Sequence, residues 1–95
     1  MNKPELVRKV AERTDLKTIE AQVIVDAVFE SIREALSDNE KVQIVGFGTF
    51  EVHKQAERTG RNPATGEAIA IPSVLVPAFK PGKELKDAVK SQSHE

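Results

Sequence analysis

Residues 58–67 read Arg58-Thr59-Gly60-Arg61-Asn62-Pro63-Ala64-Thr65-Gly66-Glu67, and the pattern around them decides the fold. From His53 to about Ser73 large apolar residues are scarce, and Ile69 and Ile71 alternate with Ala68 and Ala70 on the way back. Asn, Pro and Gly cluster in the middle, where they set turn geometry. The stretch is predicted as a long hairpin with Asn62–Gly66 at its tip. Its middle is too polar to be buried, and an arm from about 53 to 76 is too long to fold over a small core. It projects, or a partner holds it.

Outward from the arm, both flanks alternate in the manner of half-buried strands. Phe50 and Val52 precede it, and Val42 and Ile44 alternate with Lys41 and Gln43, with Gly46-Phe47-Gly48 as a tight corner between the two runs. After the arm, Val74, Val76 and Phe79 return to the core, Pro81-Gly82 punctuates the chain, and Lys83–Lys90 reads as a short closing helix. Upstream, Asn2 is a good N-cap and Pro4 suits a first helical turn. Leu6, Val7, Val10 and Ala11 then recur at helical spacing, which predicts a helix over residues 3–13. A second helix is predicted from about Thr18 to Leu36. It has no complete capping box, because Lys17 precedes Glu20 and Thr18 precedes Ala21 by three residues. Its stripe of Ala21, Val25, Val28, Phe29, Ile32 and Leu36 is wide enough to face two neighbours. The expected fold is α+β: two N-terminal helices, a three-stranded antiparallel sheet extended into a long β-ribbon arm, and a short C-terminal helix. One domain spans 1–90, and 91–95 is a polar tail.

A chain of 95 residues buries only about 60–65% of its unfolded surface, so its own core is thin. The aromatic supply is four Phe with no Trp or Tyr, and there is no Cys to form a disulfide or a thiolate metal site. Oligomerisation is the remaining source of core. The charged N-terminus lacks the apolar stretch of a signal peptide, and no apolar run is long enough to span a bilayer, so a cytoplasmic protein is expected. Fourteen basic residues stand against 15 acidic ones, net −1. Residues 1–40 hold six Lys/Arg and nine Asp/Glu (−3), whereas residues 41–95 hold eight and six (+2).

The arm's chemistry has two readings on these residues alone. A two-stranded ribbon carrying Arg58 and Arg61 can enter a DNA groove, with Pro63 wedged between base steps. It can equally be an ordinary surface hairpin in which Pro63 sets φ and Gly66 supplies a turn residue. Nothing suggests catalysis: His53 and His94 are the only imidazoles, no Gly-rich phosphate loop follows a strand, and the carboxylates fall mostly on the exteriors of the expected helices. No cofactor, metal or small-molecule substrate is expected. A helix-turn-helix reading of residues 3–36 fails because the second helix is too apolar to offer a base-reading face.

Three segments together resemble one family. Gly46-Phe47-Gly48-Thr49-Phe50-Glu51-Val52, Gly60–Glu67, and Val76-Pro77-Ala78-Phe79-Lys80-Pro81-Gly82-Lys83 are similar to the signature of the bacterial histone-like HU and integration host factor proteins. The similarity runs from Met1 to about Lys90. The family is itself a recognised example of minor-groove architectural binding, so the mechanism is implied by resemblance alone. The resemblance implies an intertwined homodimer with Phe29, Phe47, Phe50 and Phe79 in its shared core. It implies nucleoid-associated binding and bending of double-stranded DNA, with bent or nicked DNA preferred. Arg58, Arg61 and Asn62 would lie in the minor groove with Pro63 as wedge, and Lys54 would add charge to the arm. Lys3, Lys80, Lys83 and Lys86 would meet flanking phosphates. For Lys86 and Lys90 a solvated helix face is an equal alternative. Positions often basic in HU proteins hold His53, Gln55, Thr59 and Leu75, which leaves the arm at net +1. Val45 stands where one integration host factor chain carries Arg, which points to low sequence specificity. The acidic total keeps a rival open: a dimeric protein-interaction module with weak DNA binding.

Overall fold

In the computed structural model, which describes residues 1–91, the chain opens with a capping box. The Asn2 side chain accepts from the Glu5 backbone N–H at 3.0 Å, and Glu5 Oε1 accepts from the Asn2 N–H at 3.2 Å. This reciprocal pair satisfies two donors that α1 (Lys3–Thr14) would otherwise leave open. Asp15, with φ at 62°, closes the helix in the left-handed region. At the start of α2 (Thr18–Ser37) half of a capping box is present: Glu20 reaches back to the Lys17 N–H at 2.9 Å. Lys17 has no side-chain acceptor, so the other half cannot form. The part of the polar tail beyond Ser91 lies outside the described residues.

The chain divides into two units, Met1–Ala35 and Leu36–Glu95. In the first, Val7 and Ala11 of α1 meet Ala21 and Val25 of α2 in a small buried cluster, with Val10 packed against it. The small alanines let the helices approach. Only the N-terminal part of the wide α2 stripe is used this way, since Val28 and Phe29 remain about half exposed.

The second unit is built on an antiparallel sheet in the order β1 (Val42–Ile44), β2 (Gly48–Gln55), β5 (Val74–Pro81). Its register pairs Phe50 with Val42 on one side and with Phe79 on the other, and Glu51 with Ala78. Because side chains alternate across a strand, this register sorts the sheet into two faces. Val42, Phe50, Val52, Pro77 and Phe79 share one. Gln43, Thr49, Glu51, His53, Val76, Ala78 and Lys80 share the other. On the aromatic face the Phe79 ring lies 4.8 Å from that of Phe50 and 5.4 Å from that of Phe47, spacings at which tilted rings attract. The corner that turns β1 into β2 holds Gly46 at φ 84°, and the Phe47 carbonyl accepts from the Gly82 N–H at 2.8 Å, which ties the corner to the start of α3 (Lys83–Lys90).

The arm is the long ribbon expected, built as two successive ladders. Its outer part is a separate two-stranded ladder, β3 (Arg58–Arg61) with β4 (Ala68–Ile71), and Ala56-Glu57 and Pro72-Ser73 interrupt pairing between it and the sheet. Pro72 has no N–H to donate to a ladder, which accounts for the break on that strand.

Gly48 is buried, and a Cβ there would lie 2.5 Å from the Phe79 ring and 2.6 Å from the Lys80 carbonyl oxygen. The carbonyl belongs to the sheet backbone and cannot step aside cheaply. Gly48→Ala is expected to lower unfolding free energy by about 1–3 kcal/mol, as overpacking does. Urea denaturation checks this, and a variant curve that coincides with that of the wild type would show the substitution to be tolerated.

Candidate nucleic-acid interface

The arm tip is built by a small set of backbone and side-chain bonds. The Asn62 N–H donates to the Glu67 carbonyl at 2.9 Å, and the Gly66 N–H donates to the Asn62 carbonyl at 2.7 Å. Asn62 Oδ1 accepts from the Ala64 N–H at 2.8 Å, an Asx turn that holds the loop around Pro63. Gly66 has φ at 78°, which favours glycine. Pro63 is exposed. Arg61 donates from Nη1 to the Gly66 carbonyl at 2.8 Å, so its guanidinium is folded along the tip. Arg58 is exposed with no partner among the described residues.

The β3–β4 register places these two arginines on opposite faces of the ribbon. Arg58 and Gly60 share a face with their partners Ile71 and Ile69, whereas Thr59 and Arg61 share the other with Ala70 and Ala68. One face is therefore bulky and apolar with an arginine at its root. The other carries only small side chains beside Arg61, so its backbone can approach a flat surface closely.

The lysines named from the sequence fall into two groups. Lys3 is paired with Asp26, Lys80 with Glu51 at 3.2 Å, and Lys83 with Asp87 at 3.1 Å. Lys54 and Lys86 are exposed and make no ion pair among the described residues. A phosphate reaching the first three meets a cation already held by a carboxylate. The Lys3 and Lys83 pairs are exposed on both sides and weak, so a phosphate can exchange with them, whereas the carboxylate that holds Lys80 is buried.

A feature that sequence reading missed lies on the polar face of the sheet. Glu51 is not on a helix exterior; it is a buried strand carboxylate with three cationic or basic groups around it. Its Oε2 lies 2.7 Å from His53 Nε2 and 3.2 Å from Lys80 Nζ, and its Oε1 lies 3.9 Å from Lys41 Nζ. The hydrogen bond from Lys80 does most to hold the Glu51 carboxyl below its ordinary value. The charges of Lys80 and His53 and the bond from His53 add to this, and burial opposes it. The alternation Thr49-Glu51-His53 signals a polar face in the sequence. The approach of Lys80 is invisible until strand register is known.

A family model described as bacterial DNA-binding protein matches residues 1–90. The chain is also 60% identical, over 90 residues, to the DNA-binding protein HU of Geobacillus stearothermophilus, covering 95% of this chain and all of the relative. This chain belongs to the HU family of bacterial DNA-binding proteins. HU proteins bind DNA and are not enzymes, in agreement with the sequence reading. The DNA-binding protein HU of Staphylococcus aureus strain COL is likewise 60% identical over 90 residues, covering the same 95% of the chain and all of the relative. Among solved structures, Anabaena HU in a cocrystal with DNA superposes with a TM-score of 0.87 at 45% identity, over 94% of this chain and 97% of that one. HU from Thermotoga maritima gives 0.66 at 39% identity, over 94% and 98%. The three helices, the antiparallel sheet and the projecting arm are thus those of HU.

The Glu51 cluster generates a pH prediction. A carboxyl whose pKa is lowered by folding adds stability that is complete above its ordinary value of 4.5 and is lost as pH falls through the lowered one. Thermal melts from pH 7 to pH 3 should therefore show wild-type stability falling below about pH 4.5, with Glu51→Gln less stable at pH 7 and flatter over the acid range. Parallel curves for the two proteins would remove Glu51 from the balance.

Proposed function

We propose that the chain acts as a homodimer whose paired arms enter the minor groove of double-stranded DNA and bend it, largely without regard to sequence, as a nucleoid-associated protein of the cytoplasm. The observation that carries this reading is the exposed ribbon itself, with Pro63 at its apex and Arg58 and Arg61 on opposite faces. A ribbon with cations on both faces can contact both walls of a groove, and an exposed apolar ring at the apex can enter between base steps. The DNA in the Anabaena HU cocrystal supports the same assignment of partner. Lys3, Lys54, Lys80, Lys83 and Lys86 would extend the contact to flanking phosphates.

The apolar inventory supports the dimer. Among the described residues no large side chain is fully buried, and Phe29, Phe47 and Phe79 are 50%, 44% and 37% exposed, with Val23, Ile24, Val28 and Ile44 exposed as well. A single chain leaves too much apolar surface in water, and a second copy would cover the aromatic row of Phe47, Phe50 and Phe79 together with Phe29. The thermal midpoint followed by circular dichroism should then rise with protein concentration, as mass action requires. A midpoint independent of concentration, together with a monomer mass, would count against the dimer.

Bending is tested with Pro63→Ala. Energy transfer between the ends of a labelled duplex should report a smaller bend for the variant, with a reduced preference for nicked over intact DNA and little change in protein stability. If six to eight phosphates are engaged per dimer, log K should fall with log salt at a slope of about −5 to −7. An unchanged bend angle would reduce Pro63 to a turn residue. The rival reading rests on three of the lysines being already paired with carboxylates. It predicts no salt-sensitive binding to any DNA.

A further inference from the structure

His53 stands at the root of the arm, where β2 leaves the body of the sheet, on the same face as Lys80 and opposite the aromatic row. Its Nε2 lies 2.7 Å from Glu51 Oε2, and about half of its side chain remains open to solvent. Charged groups from three segments meet at the carboxylate that this imidazole touches. Glu51 comes from its own strand, and Lys80 of β5 and Lys41 just before β1 surround the same carboxylate. The residue paired with His53 across the ladder, Val76, does not titrate.

We propose that His53, positioned by Glu51 and flanked by Lys80 and Lys41, is a DNA-phosphate contact that operates only when protonated, so that DNA binding takes up protons. The inference rests on the DNA-binding role proposed above and adds to it a residue and a regulation. Its chemistry lies in the two ring nitrogens. With Nε2–H donated to Glu51, a neutral ring leaves Nδ1 as a bare acceptor, which has nothing to offer a phosphate. Protonation turns Nδ1 into a donor and adds a positive charge, and imidazole is the side chain that makes this change in the neutral range. Glu51 keeps its charge throughout that range, because Lys80 holds its carboxyl below the ordinary value. The cluster of Glu51, Lys80 and Lys41 therefore carries +1 with a neutral ring and +2 with a protonated one. A dimer has two such clusters, one at the foot of each arm, on a protein whose total charge is only −1 per chain.

Fluorescence anisotropy of a labelled nicked duplex, titrated at pH 6 and pH 8 over a series of salt concentrations, tests this. Wild type should bind about tenfold more tightly at pH 6, with a log K against log salt slope steeper by about one to two, the increment expected for two added phosphate contacts. His53→Gln should bind at both pH values with the shallower slope, and His53→Arg with the steeper one. Because the ring is half exposed, both variants should keep the wild-type circular dichroism spectrum. DNA binding that is equally strong and equally salt-dependent at both pH values would overturn the proposal and leave the DNA-binding role intact. A pH dependence that survives unchanged in His53→Gln would overturn it too. Absence of binding by wild type at any pH would overturn the underlying role and this inference with it.

Discussion

The ladder between β2 and β5 is the interaction on which the rest of the structure depends. It runs without interruption from Gly48 opposite Pro81 to Gln55 opposite Val74. Strand side chains have a period of two, so a slip of one residue would send the aromatic row to the charged face and Glu51 to the apolar one. Register is specified from both sides. Gly48 accepts the Phe79 ring and the Lys80 carbonyl at distances that no side chain would permit. Phe50 meets Phe79 directly across the ladder, a pairing that stabilises antiparallel strands. The same ladder delivers Lys80 to Glu51 and launches the arm from its far end.

Much of this was legible in the sequence because it is local. The Asn2 cap, the helical spacing of Val7 and Ala11, the alternation around Val42 and Phe50, and the Asn62–Gly66 tip each depend on residues a few positions apart. What escaped needs partners far along the chain. No local pattern brings Lys3 to Asp26, which takes the packing of α1 on α2. Nor does one bring Lys80 and Lys41 to Glu51, which takes three strands in register. The break in the arm is a different case. Pro72 lies on the return strand of the arm, and its missing N–H opens the ladder there while the arm continues beyond it. The arginines show the same division: their presence at the tip is plain in the sequence, but their separation onto opposite faces follows only from the β3–β4 register.

Charge explains how a chain of net −1 belongs to a family of DNA-binding proteins. The acidic excess lies in residues 1–40, whereas the arm and the sheet carry the basic excess. Summed charge says little about a ligand that meets only part of the surface, within a screening length of roughly 8–10 Å. Lysines held by carboxylates also form a reserve. The two exposed pairs, Lys3 with Asp26 and Lys83 with Asp87, fix a long side chain near the surface without removing its capacity to exchange one anion for another.

The prolines of β5 have a consequence for the protein in solution. The sheet order makes β5 an edge strand, and Pro77 and Pro81 lie within it, with Pro72 shortly before. A free strand edge is a template for adding another chain, and edge-to-edge growth of this kind leads to aggregation. Each proline removes a donor from that edge and sets its backbone at an angle that a flat incoming strand cannot follow. The edge of the sheet from which the ribbon extends thus offers fewer donors to an incoming strand.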